Sequence, residues 1–203
     1  SRAAQQSLLT QTDNAQPAIA MVTLSMLSLV TGTGLRPDEV VGHSFGEVMA
    51  LHAAGVFDAR AAIEIGQRRG DLMRDASEAS GGAMLAVKTS REKISEWLAK
   101  AGEGLTLAND NGPDQIVLSG YTDQIEALQE QLEKNEFTTT RLSVSTAFHS
   151  SIVAGCVDPL AEHLGGIDFQ APAIPIYGNT TAEIYSADCG KIRHYPRPVC
   201  DSC

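Results

Sequence analysis

Gly42-His43-Ser44-Phe45-Gly46 sets one serine between two glycines, after the apolar pair Val40–Val41 and before the small-residue stretch "EVMALHAAG". The pattern G-x-S-x-G suits a strand that turns sharply into a helix with the serine at the apex. Gly42 and Gly46 are expected to let strand and helix approach where a side chain would collide. The turn pushes the Ser44 hydroxyl out of the sheet and points the Phe45 amide and the helix N-terminus at whatever reacts there. Those dipoles favour developing negative charge, so Phe45 is the expected oxyanion donor. Five residues with three fixed recur by chance, and the plainer reading is a tight turn with a solvated serine.

A second candidate is a charge on the wrong face. On a helical wheel Ala62, Ile65, Gly66, Leu72, Met73 and Ala76 gather on one side, and Arg69 falls among them. A guanidinium on a core-facing stripe is costly unless something pairs with it. It is either half of a structural ion pair, with Glu47 as partner, or an anion-binding group facing the serine. Its planar fork suits a carboxylate. Arg68 lies toward the rim, where it can snorkel to water.

A serine needs a general base near neutral pH. The histidines are His43, His52, His149, His163 and His194. His43 adjoins Ser44 in a tight turn and cannot easily reach its hydroxyl. His149, in "TAFHSS", follows a strand that returns the chain to its core, a natural place for chemistry, and is the favoured base. A lone histidine more often packs or faces solvent.

The elements that must position these groups follow from periodicity. Asn14–Val30 reads as a helix with Pro17 in its first turn. Val40–His43 reads as a strand, Glu47–Ala54 as a helix, and Asp58 as the N-cap of the next helix. A distinct block follows: strand Ala83–Val87, a helix capped by Ser90 and running to Ala101, strands Leu105–Asn109 and Gln115–Ser119, helix Thr122–Asn135, and strand Thr139–Ser145. The order β-α-β-β-α-β is that of a ferredoxin-like unit. Ser150–Leu164 reads as helix and Ile174–Tyr177 as strand. The expected fold is therefore α/β: a parallel-sheet core at 1–82 and 147–203 with a ferredoxin-like subdomain inserted at 83–146. Two strands are few for such a core, so it is expected to be truncated at both ends.

Composition narrows the function classes. The chain has 203 residues, 43% hydrophobic and 20% charged, with formal net charge −10. Such a balance argues against nucleic acid or an anionic membrane as partner. No apolar run is expected to reach the roughly 20 residues of a membrane span, because Gln16, Thr23, Ser25 and Ser28 interrupt Ala15–Val30. The cysteines are Cys156, Cys189, Cys200 and Cys203. Three crowd His194 in a pattern that could bind zinc on residue types, but unpaired thiols in a cytoplasmic chain are the favoured reading, with no metal.

"QPAIA", "LRPDEVVGHSFGEVMALHAAGV", "RRGDLM", "LANDNGPDQIVLSG" and "AFHS" occur in order. Together they resemble the malonyl-CoA:acyl carrier protein transacylase domains of fatty acid and polyketide synthases, with an α/β-hydrolase-like core. "GHSFGE" with "AFHS" looks most like the multidomain polyketide and polyunsaturated fatty acid synthases. The resemblance implies that Ser44 becomes an acyl ester, that His149 is its base, and that Arg69 holds the free carboxylate of a malonyl group. It places Gln16, His43 and Phe148 at the substrate, Phe148 crowding the alpha-methyl branch of larger units. It implies malonyl-CoA as substrate, phosphopantetheine supplied by an acyl carrier protein, neighbouring domains such as ketosynthase, and no cofactor bound by the domain itself. In that family a glutamine near the first strand completes the oxyanion hole; the resemblance implies a position before Ser1, so the segment alone is expected to be weakly active or inactive. A serine hydrolase of acyl thioesters and a non-catalytic structural piece of a synthase are the alternatives.

Overall fold

The computed structural model describes residues 1–144 and 147–186. Two compact units emerge: residues 1–72 with those from 156 onward, and residues 73–155. Cys189, His194, Cys200 and Cys203, with the zinc pattern they form, lie outside the described residues, as does Ser145.

The first unit opens with helix α1 (Arg2–Thr10), then α2 (Thr12–Gly32). Arg2–Thr10 is too short to stand out by its apolar spacing; Ser1 caps it by accepting from the Ala4 N–H, and none of its residues is buried. Gln11 breaks the two helices with an extended backbone. Strand β1 (Val40–Val41) leads to α3 (Gly46–Ala53), and α4 (Ala59–Ser80) begins behind the expected cap, with the Asp58 carboxylate accepting from the Ala61 N–H at 2.8 Å.

One sequence expectation fails in α2. It is 21 residues long and apolar enough, by length and composition, to cross a membrane. The interrupting residues are mostly hydroxyls, which lower the average too little. Its inner side contributes Thr12, Gln16 and Ala20 to the interior, while Ile19, Met21, Val22, Met26, Leu29 and Val30 are exposed.

In the second unit, strands β2 (Ala83–Val87), β3 (Leu105–Asp110), β4 (Ile116–Gly120) and β5 (Thr139–Arg141) form an antiparallel sheet in the order β3-β4-β2-β5. Helices α5 (Arg91–Ala101) and α6 (Thr122–Lys134) occupy the crossovers, which completes a β-α-β-β-α-β path. Register pairs Leu85 with Leu118. Alternate residues Ala83, Leu85, Val87, Ile116 and Leu118 share one face and pack against Ile94 of α5 and Ile125, Leu128 and Leu132 of α6. Trp97 meets Phe137 edge to face at 5.8 Å. Strand β5 is shorter than the expected Thr139–Ser145: its ladder with β2 ends at Arg141, with one further hydrogen bond from the Leu142 N–H to the Met84 carbonyl. Ser90 stands at the N-cap of α5 but makes no capping hydrogen bond with its side chain to the backbone.

The chain then takes a 3-10 turn at Ser151–Cys156 before α7 (Val157–Gly165), so the expected continuous helix is two pieces. Strand β6 (Ile176–Tyr177) returns to lie parallel to β1, Val40 opposite Ile176. Both strands are shorter than the sequence suggested, and this parallel pair with its flanking helices makes the chain α/β. Beside it, the Glu39 carboxylate pushes the Tyr177 phenol above its ordinary value, first by charge and then by accepting its hydrogen bond at 3.2 Å.

Leu118 is fully buried in the central strand β4. Leu118→Ala should cost about 2–5 kcal/mol in urea unfolding; a loss well under 1 kcal/mol would show that this face is not packed as described.

Candidate active site

The turn at Ser44 is built from the backbone outward. Ser44 has φ +52°, a left-handed conformation that L-residues rarely adopt. Gly46 N–H donates to His43 O at 2.9 Å and Glu47 N–H to Ser44 O at 3.0 Å, closing the turn into α3. A Cβ on Gly42 would overlap the Gly46 carbonyl and lie 2.5 Å from the Glu47 nitrogen. Strand and helix therefore touch through bare backbone at this point. At Gly46 a Cβ would meet nothing within 4 Å; the crowding expected at both glycines exists at Gly42 alone. Phe45 is the N-cap residue of α3 and its side chain is buried, with its ring against Gly66 of α4, where a Cβ would come within 2.9 Å.

A second close approach brings the arginine in. A Cβ on Gly70 would lie 2.6 Å from the Thr12 carbonyl, so α4 runs hard against the start of α2. Arg69 sits on the buried stripe with Ala62, Ile65 and Met73 and is only 3% exposed. Its Nη1 donates to Gln16 Oε1 at 2.8 Å and its Nη2 to Ser44 Oγ at 3.4 Å. Gln16 is oriented in turn: its Nε2 donates to Thr12 Oγ1 at 2.7 Å, which turns Oε1 toward the guanidinium. Thr12 went unread in the sequence, although its spacing of four from Gln16 on one helix was the signal.

Glu47 is not the partner of Arg69. It is fully buried and accepts from the Asn179 N–H at 3.0 Å, Asn179 Nδ2 at 3.2 Å and the Tyr185 hydroxyl at 2.6 Å. Neither Asn179 nor Tyr185 carried a sequence signal; they lie more than 130 residues from Glu47. His52, one of the alternative bases, has Nδ1 3.0 Å from the Phe57 carbonyl, so that nitrogen is committed to the backbone.

Gln16, Ser44 and Arg69 thus converge within the first unit, with Phe45 and exposed His43 in the same turn. Phe148 and His149 belong to the second unit, in a turn where His149 has φ +60°. That turn is braced by the Ser150 hydroxyl, which donates to Ala147 O at 2.7 Å and accepts from the Ile152 N–H at 3.3 Å.

Comparison with known proteins is consistent across sequence and structure. The pattern of the acyl transferase domain family matches residues 2–191. A malonyl CoA-acyl carrier protein transacylase from Synechocystis is 35% identical over 172 residues, covering 84% of this chain and 57% of that protein. The acyltransferase domain from the second module of the salinomycin polyketide synthase superposes with TM-score 0.85 at 33% identity, covering 96% of this chain and 45% of that one. A malonyl-transacylase solved in complex with its type II polyketide synthase acyl-carrier protein superposes with TM-score 0.88 at 28% identity, over 97% of this chain and 64% of that one. The chain thus spans about half the length of these relatives, and 5%, 9% and 8% of three large synthases it also matches.

The two glycines of the turn separate in a denaturation experiment. Gly42→Ala should lose about 3 kcal/mol or more, because the new methyl meets backbone that cannot rotate away. Gly46→Ala should change stability by less than about 1 kcal/mol. Equal losses would contradict the geometry.

Proposed function

Because the chain belongs to the acyl transferase domain family, we propose that the full-length protein carrying it moves a malonyl group from CoA to the pantetheine thiol of an acyl carrier protein. The observation that carries the reading is the buried guanidinium of Arg69 within hydrogen-bonding reach of the Ser44 hydroxyl. A hydrolase of neutral esters has no use for a cation there. A short diacid has a use for both groups, an electrophilic carbonyl for the hydroxyl and a free carboxylate for the fork.

In the proposed reaction Ser44 Oγ attacks the thioester carbonyl while the imidazole of His149 takes its proton. The oxyanion is stabilised by the Phe45 amide at the start of α3. Collapse breaks the C–S bond, the proton passes from His149 to the departing CoA sulfur, and a malonyl ester remains on Ser44. The carrier thiol then gives its proton to His149 and attacks the ester, and Ser44 recovers a proton as it leaves. Each half-reaction conserves an acyl bond and consumes no metal or cofactor; the carrier brings its own phosphopantetheine. Arg69 holds the distal carboxylate throughout, and Gln16, itself fixed by Thr12, sets the plane of its fork.

Phe148 selects malonyl over branched units, since a phenyl ring crowds an alpha-methyl group; one methyl is worth about 1–3 kcal/mol. His43 faces the substrate beside the nucleophile. The solved complex of a relative with its acyl-carrier protein supports a carrier as partner. The matches to large synthases support neighbouring synthase domains, and a ketosynthase is proposed as one of them.

Incubation of the full-length protein with radiolabelled malonyl-CoA should leave stable label on the protein, discharged by carrier protein and absent in Ser44→Ala. Rapid release of free malonate without carrier product would favour hydrolysis. Arg69→Ala should lower malonyl transfer about 10- to 100-fold, the size of a lost charged hydrogen bond, and acetyl transfer far less. Equal losses would make Arg69 a packing residue only.

A further inference from the structure

The strained turn at Ser44 is held at both ends by one side chain. Asn179 follows β6, and its Nδ2 donates to the Gly42 carbonyl at 2.6 Å, on the strand side of the turn, and to Glu47 Oε2 at 3.2 Å, on the helix side. Both neighbours of that nitrogen are acceptors, so the amide has a single orientation that satisfies it. Glu47 is fixed in turn by the Asn179 N–H and the Tyr185 hydroxyl, both at Oε1. The loop presenting Asn179 is closed on itself: Gly178 N–H donates to Glu183 O at 3.0 Å, Ala182 N–H to Gly178 O at 2.9 Å, and Tyr185 N–H to Ile176 O at 2.8 Å. A Cβ on Gly178 would sit 3.1 Å from the Tyr185 ring, so the start of the loop is packed against that ring. A left-handed backbone at a residue other than glycine persists only where its surroundings over-determine it, and here a side chain more than 130 residues away bonds to residues on both sides of Ser44.

We propose that Asn179 is a positioning residue for the nucleophile, fixing the Ser44 hydroxyl by tying the Gly42 carbonyl to the Glu47 carboxylate. The proposal rests on the reading of Ser44 as the nucleophile, and on no particular acyl donor. Asn179→Asp tests the donor without changing volume, because it places an oxygen against two acceptors; Asn179→Ala removes the tie altogether.

The experiment uses the full-length chain and a fluorophosphonate probe, which reads Ser44 reactivity without malonyl-CoA or carrier. Both variants should lower the second-order rate of Ser44 phosphonylation about 100-fold, the usual consequence of a displacement near 1 Å. KM for malonyl-CoA should stay nearly unchanged while kcat falls. Tyr185→Phe, which removes a donor from Glu47 and leaves the Asn179 tie, should lose no more than a few-fold. A folded Asn179→Ala chain that reacts at the wild-type rate overturns the proposal, as does an equal loss in Tyr185→Phe, which would mark general destabilisation. Should a variant fail to fold, Asn179→Gln, with the amide one methylene further out, is read by the same rate. A wild-type chain that is phosphonylated at Ser44 yet passes no malonyl group to carrier protein would count against the transfer reading alone.

Discussion

A carboxyl group sealed from water must find hydrogen-bond donors inside the protein, and Glu47 is such a group, with no exposed surface. It sits in the first turn of the helix that follows Ser44. Its donors come from the loop after β6, at Asn179 and Tyr185. Satisfying Glu47 therefore draws β6 and its loop onto the start of α3, and the parallel pairing of β1 with β6 follows the same closure. The backbone of the Ser44 turn is caught inside this clamp. Loss of the Asn179 or Tyr185 donors leaves a carboxyl with no exposed surface short of partners, the costly way to lose a hydrogen bond.

Glycine placement governs the other half of the site. Gly66 lets α4 meet the Phe45 ring, and Gly70 lets it meet the backbone of Thr12. These two positions lie four apart on one helical face, with Arg69 beside them. The same close contacts that admit no side chain carry the guanidinium to Gln16 and Ser44. A buried charge is thus delivered by the packing of small residues.

What the sequence disclosed was local. The turn around Ser44, the cap at Asp58, the buried position of Arg69 on its helix and the apolar spacing of Ile125, Leu128 and Leu132 each depend on residues within a few positions of one another. What escaped was either featureless or distant. Helix α1 is nine residues long with none of them buried, so it offers only about two turns of pattern. Strands β1 and β6 are two residues each, too short for alternation to register. Asn179 lies in a Gly-Asn pair that reads as an ordinary turn, and only the folded chain reveals that its amide faces the Gly42 carbonyl. Of the two readings of Arg69, the pair with Glu47 is absent for the same reason: opposite charges suggest it, while the hydroxyl and amide donors that Glu47 meets lie far away in the sequence. Helix α2 lies within two residues of its expected bounds at each end; its apolar span is longer than expected because hydroxyl-bearing residues lower the average hydropathy little.

The positive φ at Ser44 narrows which chemistry this turn could ever adopt. A side chain branched at the β-carbon fits poorly in the left-handed region, so threonine is a poor substitute although it carries the same hydroxyl. Cysteine, unbranched at Cβ and close to serine in size, fits the same backbone. A thiol is therefore open to this position, while a secondary alcohol is disfavoured there by stereochemistry whatever its reactivity.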